Sequence, residues 1–138
     1  MKKLLFLLVM LCGAAFAQAL DEEVRAPVVQ YFKGHATGDG AEMRKAFLPS
    51  AHIEGIRNGA FSSWTVDEYV AGFKGPAPDE SSRRRTIDAV DVSGTAAMVR
   101  ATLVHGGITF TDYFVLVKVG GEWKIANKVY YGRPTGNK

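Results

Sequence analysis

A single cysteine, Cys12, is all the thiol chemistry this chain of 138 residues has. No disulfide can form within it and no cysteine cluster can hold a metal, so the fold rests on its apolar core alone. Histidine is nearly as scarce. His35, His52 and His105 are the only three, and no pair has the i,i+4 spacing that stacks two ligands on one helix face. A metal site is therefore not expected. No cofactor is expected either, because the chain has no phosphate-cradling glycine loop and no nucleophile elbow. Basic and aromatic residues are nowhere interleaved as in single-strand nucleic-acid platforms. Long apolar runs are missing apart from Leu4 to Leu11, which is too short to span a bilayer and is followed by Asp21-Glu22-Glu23.

That one apolar run has the other marks of an export signal. Lys2-Lys3 precedes it, and Ala15-Phe16-Ala17 follows it as a small-residue cleavage site. Cleavage after Ala17 is expected, with Ala17-Gln18-Ala19 as an alternative. Leu11 is too bulky to precede a lipid-modified Cys12. Residues 1–17 are read as a signal peptide and 18–138 as one domain, which makes the protein exported, periplasmic or secreted. Losing the leader removes two of the 17 Lys+Arg and leaves 15 against 14 Asp+Glu, a net charge of +1. A domain so nearly neutral is not expected to bind nucleic acid, and after signal cleavage it has no membrane segment.

The remainder opens with helical spacing. Val24, Val28, Tyr31 and His35, widened by Phe32, mark one face of a helix over Asp21 to Ala36, with Pro27 placed best in its first turn. Asp39 with Glu42 caps a short second helix carrying Met43, Ala46 and Phe47, and Pro49 ends it. Residues 50–63 read as two short strands around an Asn58-Gly59 turn. Thr65 with Glu68 then caps a third helix faced by Tyr69 and Phe73. Beyond the break at Gly75-Pro76-Ala77-Pro78, the chain is strand after strand: Thr86 to Val92, Ala96 to His105, and two long runs from Ile108 to Tyr131 joined by Gly120-Gly121.

That last hairpin orients the candidate site. With Gly120-Gly121 as the turn, Leu116 lies opposite Ile125, Phe114 opposite Asn127 and Asp112 opposite Val129. Asp112, Phe114, Leu116, Trp123, Ile125, Asn127 and Val129 then share the inner side, and Lys124 and Lys128 point out. The Gly106-Gly107 turn sets Leu103 opposite Phe110 and Ala101 opposite Asp112, and leaves His105 at the inner rim. Helices followed by an antiparallel meander form an α+β pattern, a curved sheet with helices on one face and a pocket at its wider end.

Three stretches carry a family likeness: Tyr31-Phe32-Lys33-Gly34 with Gly38-Asp39; Phe47-Leu48-Pro49-Ser50-Ala51-His52; and Asp112-Tyr113-Phe114 through Gly121-Glu122-Trp123-Lys124-Ile125 to Asn127-Lys128-Val129-Tyr130. Over nearly the whole mature chain these resemble the nuclear transport factor 2-like superfamily, and most of all its "putative lumazine-binding" family. The resemblance implies a cone-shaped sheet wrapped around three N-terminal helices, and a homodimer. It does not imply one activity, because the superfamily holds steroid isomerases, dehydratases, polyketide cyclases and non-enzymatic modules.

Asp112 is the first candidate for chemistry. An apolar inner face disfavours its charged form, which would raise its pKa and suit general acid/base work; a structural carboxylate bonded to Asn127 or a tyrosine is the alternative. Asn127 could hold a ligand carbonyl or serve as that fixed partner. His52 is a candidate acid/base at the pocket mouth. Tyr31, His35, Phe47, Trp64, Phe73, His105, Phe110 and Phe114 are candidate ligand contacts, in company with Tyr69 and Trp123, for a small apolar or aromatic molecule. Arg83-Arg84-Arg85 reads as a solvated strand entry balanced by Asp79 and Glu80, or as an anion site. Arg100, Thr102, Tyr113, Val115, Val117, Ala126 and Tyr130 give the outer face an apolar patch suited to a homodimer. The function expected is small-molecule binding, with cofactor-independent isomerisation, dehydration or cyclisation as the chemistry; a non-catalytic interaction module with a filled pocket is the alternative.

Overall fold

The computed structural model describes residues 2–136, with side chains from residue 14 onward; Cys12 and the Leu4–Leu11 run therefore lie outside the described side chains. Helix α1 spans Lys2–Thr37 and buries Val24, Val28 and Tyr31 completely, with His35 close behind. Pro27 lies inside this helix, not in its first turn. Its ring removes one backbone hydrogen bond, but Val24 and Val28 flank it in the core, and that packing carries the helix through the gap. Among the described residues no helix is long and apolar enough to cross a membrane.

Helix α2 (Gly40–Arg44) starts where the Asp39 carboxylate accepts the Glu42 N–H at 3.0 Å. Helix α3 (Val66–Val70) starts at a complete capping box between Thr65 and Glu68. The strands are β1 (His52–Arg57), β2 (Ala60–Thr65), β3 (Arg84–Ser93), β4 (Ala96–His105), β5 (Ile108–Val119) and β6 (Glu122–Pro134). They form one curved, unclosed sheet in the order β2-β1-β6-β5-β4-β3. The meander β3 to β6 is antiparallel, as the turn signals imply. The first hairpin joins it through a parallel pairing of β1 with β6. Gly120 and Gly121 both take positive φ (58° and 84°), the backbone of a two-residue hairpin turn. The fold is thus α+β, with the helices packed in the concavity of the sheet.

The hairpin β5–β6 departs from simple alternation at one residue. Leu116 pairs with Ile125 as expected, but Val115 pairs with Asn127, which leaves Ala126 as an extra residue on β6. A bulge of one residue reverses the facing of everything beyond it. Phe114 therefore lies opposite Lys128 and not Asn127, and Asp112 lies opposite Tyr130 and not Val129. Lys128, expected outside, is buried; Val129, expected inside, is 46 % exposed. Asn127 goes to the outer side with it, and Tyr130 turns inward.

Tyr130 can turn inward because β1 offers it a glycine. A Cβ on Gly55 would come within 2.7 Å of the Tyr130 carbonyl oxygen and 2.8 Å of its ring, closer than real side chains approach. Replacing Gly55 by alanine should accordingly cost roughly 1–3 kcal/mol as the ring and strand are forced apart. A thermal unfolding midpoint unchanged from wild type would contradict this account of the β1–β6 contact.

Candidate functional site

The wide end of the curved sheet and the short helix α3 enclose a cavity of about 720 Å³. Trp64, Tyr69, Phe73 and Phe110 form apolar walls, and His35, His105, Asp112, Lys128 and Tyr130 supply polar groups. Capping fixes the helical wall: the Thr65–Glu68 box starts α3, placing Tyr69 where its ring meets Phe73 at 5.3 Å and Trp64 at 6.3 Å. On the opposite wall His105 stacks on Phe110 at 4.8 Å, because the Gly106-Gly107 turn brings the ends of β4 and β5 together.

The floor is an ion pair. Lys128 Nζ donates to Asp112 Oδ2 at 2.6 Å and to the Tyr31 hydroxyl at 2.8 Å, with side-chain exposures of 6 % for the lysine and 1 % for the aspartate. Tyr31 and Tyr69 share a further hydroxyl–hydroxyl bond of 3.1 Å. The rings of Tyr31, Tyr69, Phe114 and Tyr130 all lie within 6 Å of the ammonium, at 4.8 to 5.8 Å. Burial, the largest single influence, pulls the Lys128 ammonium down, but the Asp112 carboxylate beside it, together with Tyr69 and Tyr130, outweighs burial and holds it above the usual lysine range. Burial, with Tyr69 and Asp112 nearby, pushes the Tyr31 hydroxyl well up. Asp112 Oδ1 and the Tyr130 hydroxyl are buried with no hydrogen-bond partner among the described residues. Their residues face each other across β5 and β6.

His35 stands beside this floor in a defined state. Arg85 approaches its Nδ1 through Nε at 3.1 Å and Nη2 at 2.7 Å. An arginine can only donate, so Nδ1 accepts and the ring hydrogen sits on Nε2. Arg85 is anchored in turn by Glu80 at 2.7 and 2.9 Å. Burial and the Arg85 charge pull the His35 ring down to about 3. Burial and Arg83 lower His105 as well. Both rings are therefore neutral at physiological pH. Of the run Arg83-Arg84-Arg85, only Arg84 is solvated as expected; Arg85 is the half-buried support of His35, and Arg83 lines the cavity while paired with Asp79 at 2.9 Å.

The sequence-predicted residues thus divide. Asp112, His35, Trp64, Phe73, His105 and Phe110 meet in the cavity. Tyr31, Phe47 and Phe114 are buried in the core instead; Tyr31 packs edge-on to the other two at 5.9 and 5.2 Å and reaches the site through its hydroxyl. Asn127 and His52 lie outside the cavity. Asn127 accepts the His52 backbone N–H at 2.9 Å and donates to Glu54 at 2.9 Å, fastening β1 to β6, and the exposed His52 ring turns to the Ser50 carbonyl. Lys128 and Tyr130 escaped the alternation reading because of the Ala126 bulge. One signal pointed to Lys128 all the same: a buried carboxylate demands a counter-charge. Among the described residues no three His, Cys, Asp or Glu side chains gather as a metal site would require.

The family described as "Putative lumazine-binding" matches residues 19–131. The chain belongs to that family. It falls within the NTF2-like superfamily, in agreement with solved relatives. An NTF2-like protein of Shewanella baltica is 26 % identical, with a TM-score of 0.75 covering 85 % of this chain and 96 % of that one. Another from Silicibacter pomeroyi is 25 % identical, with a TM-score of 0.76 covering 85 % and 98 %. The aldolase FrzH of Cladobotryum sp. is 22 % identical over 115 residues, 82 % of this chain and 91 % of its own.

Two measurements check this site. Lys128→Met strands a buried carboxylate and should cost about 3–5 kcal/mol, and adding Asp112→Asn should recover much of that loss; equal unfolding midpoints for single and double variants would contradict the pair. His35 supplies a pH dependence. The unfolded chain takes up a proton at this histidine near 6.5 while the folded chain does not until about 3, so the stabilisation is whole above 6.5 and is lost as pH falls toward 3. Between about pH 7.5 and pH 5 the wild type should lose roughly 2 kcal/mol from this group, and His35→Gln should flatten that slope.

Proposed function

We propose that the protein is exported, binds a small, largely apolar carbonyl compound in this cavity and moves a proton on it without a cofactor. The observation that carries the reading is the open cavity of about 720 Å³ in which Asp112 keeps one carboxylate oxygen unpaired beside two neutral histidines. Oδ1 takes the proton from the carbon next to the carbonyl. The electron pair moves onto the carbonyl oxygen, where the Lys128 ammonium, with two of its three donors engaged by Asp112 and Tyr31, offers the third. Reprotonation at another carbon gives an isomer, and attack of the enolate on a second carbonyl gives an aldol product. A protonated lysine held by a carboxylate cannot act as the free amine of a Schiff base, so aldol chemistry here runs through an enolate. The likeness to an aldolase supports this reaction class.

The alternative, an interaction module, requires a filled pocket, and the cavity of about 720 Å³ counts against it. We also propose a homodimer through the outer face of the sheet. The bulge trades Tyr130 for Val129 and Tyr131 there, next to Tyr113 (44 % exposed) and Val115 (48 %).

Native mass spectrometry of the mature protein purified from its export compartment reads subunit count and retained ligand together. The chemical step is checked with 2-tetralone in D2O by NMR. The wild type should speed exchange of its acidic C–H about a hundredfold or more over Asp112→Asn, the range of general-base catalysis. Equal exchange rates in the two proteins would sink the enzyme reading and leave binding alone.

A further inference from the structure

We infer that the cavity's ligand is an organic anion with an aromatic body, its acid group held on the Arg57 side of the mouth and its body directed to the Asp112 floor. This rests on the small-molecule reading above and specifies its substrate class. Charge on the cavity lining is lopsided. Four permanent cations face it, Arg57, Arg83, Lys128 and Arg133, against a single carboxylate, Asp112. Lys128 is paired with Asp112 at 2.6 Å, and Arg83 with Asp79 at 2.9 Å. Arg57 is different. Its guanidinium lies 5.5 Å from the centre of the Trp64 ring, another cavity wall, and no carboxylate among the described residues forms an ion pair with it.

A guanidinium stacked on an aromatic face keeps its N–H fork directed away from that face, the arrangement that takes carboxylate, sulfonate or phosphate oxygens in pairs. The ligand's orientation follows from where charge is already satisfied. An acid group at the floor would meet the Asp112 carboxylate, and its repulsion would cost more than Lys128, already paired, could return. At the mouth the same group meets the Arg57 guanidinium, which no ion pair among the described residues cancels. Neither cavity histidine adds charge of its own: burial and the charges of Arg83, Arg85 and Lys128 lower His105, and burial and Arg85 lower His35, so both rings are neutral at neutral pH. Between mouth and floor the stacked Phe110 and His105 and the face of Tyr69 suit an aromatic body.

A matched pair of fluorescent probes tests this on the mature chain. 8-Anilinonaphthalene-1-sulfonate and N-phenyl-1-naphthylamine share one ring system and differ by the sulfonate. At low salt the anion should bind at least about tenfold more tightly, an advantage that Arg57→Gln removes without changing binding of the neutral probe. Arg84→Gln, on an exposed residue away from the cavity, should change neither. The Trp64 indole N–H resonance should move on binding, locating the probe. Equal affinity of the two probes, an advantage that survives Arg57→Gln, or a Trp64 resonance that stays put while the anion binds would each overturn the inference and leave the cavity reading standing. Failure of both probes to bind the folded protein would take the cavity reading down with it.

Discussion

The ion pair between Lys128 and Asp112 is the constraint to which the rest of this fold answers. Two opposite charges almost wholly out of water are tolerable only at hydrogen-bonding distance and with further partners. Meeting that condition takes a lysine on the concave side of β6, opposite a strand whose aspartate faces the same way. The bulge at Ala126 creates it. It turns Lys128 inward without disturbing Trp123 and Ile125, which stay buried on the same face nearer the turn. Tyr31 extends the network into α1 and Tyr69 into α3, so helices and sheet are joined through one ammonium.

The same bulge decides what the cavity can do. Had alternation continued, Asp112 would have faced Val129, Asn127 would have stood where Lys128 stands, and the floor would have carried an uncompensated carboxylate. Instead the floor is electrically balanced and leaves one carboxylate oxygen and one tyrosine hydroxyl unpaired. Asn127, moved to the outer side, secures the parallel seam between β1 and β6. That seam places Gly55 against Tyr130 and Arg57 at the cavity edge. The balanced floor of the cavity and the fastening of β1 to β6 by Asn127 thus trace to a single inserted residue in β6.

Electrostatics separates the titratable groups by neighbour as well as by depth. Burial works against the charged forms of both Lys128 and His35, yet they end on opposite sides of their ordinary values. Lys128 gains a carboxylate and is held up; His35 gains a guanidinium and is held down. The result is a site with a protonated lysine and neutral imidazoles at the same pH.

Local patterns settled much of this protein in advance. The α1 stripe, the caps at Asp39 and Thr65, and the turns at Gly106-Gly107 and Gly120-Gly121 depend on spacing and on backbone conformations that only a few residue types favour. They can be read one segment at a time, and they sufficed for the α+β class and for Asp112 on the inner face. Facing beyond Ala126 was not legible, because a bulge adds a residue without leaving a mark in the alternation of Trp123, Ile125, Asn127 and Val129. Nor was the passage of α1 through Pro27, which tertiary packing stabilises against local preference. The parallel seam of β1 on β6, the partnership of Arg85 with His35 fifty residues away and the opening of the cavity depend on contacts between distant segments, and only the assembled structure decides them.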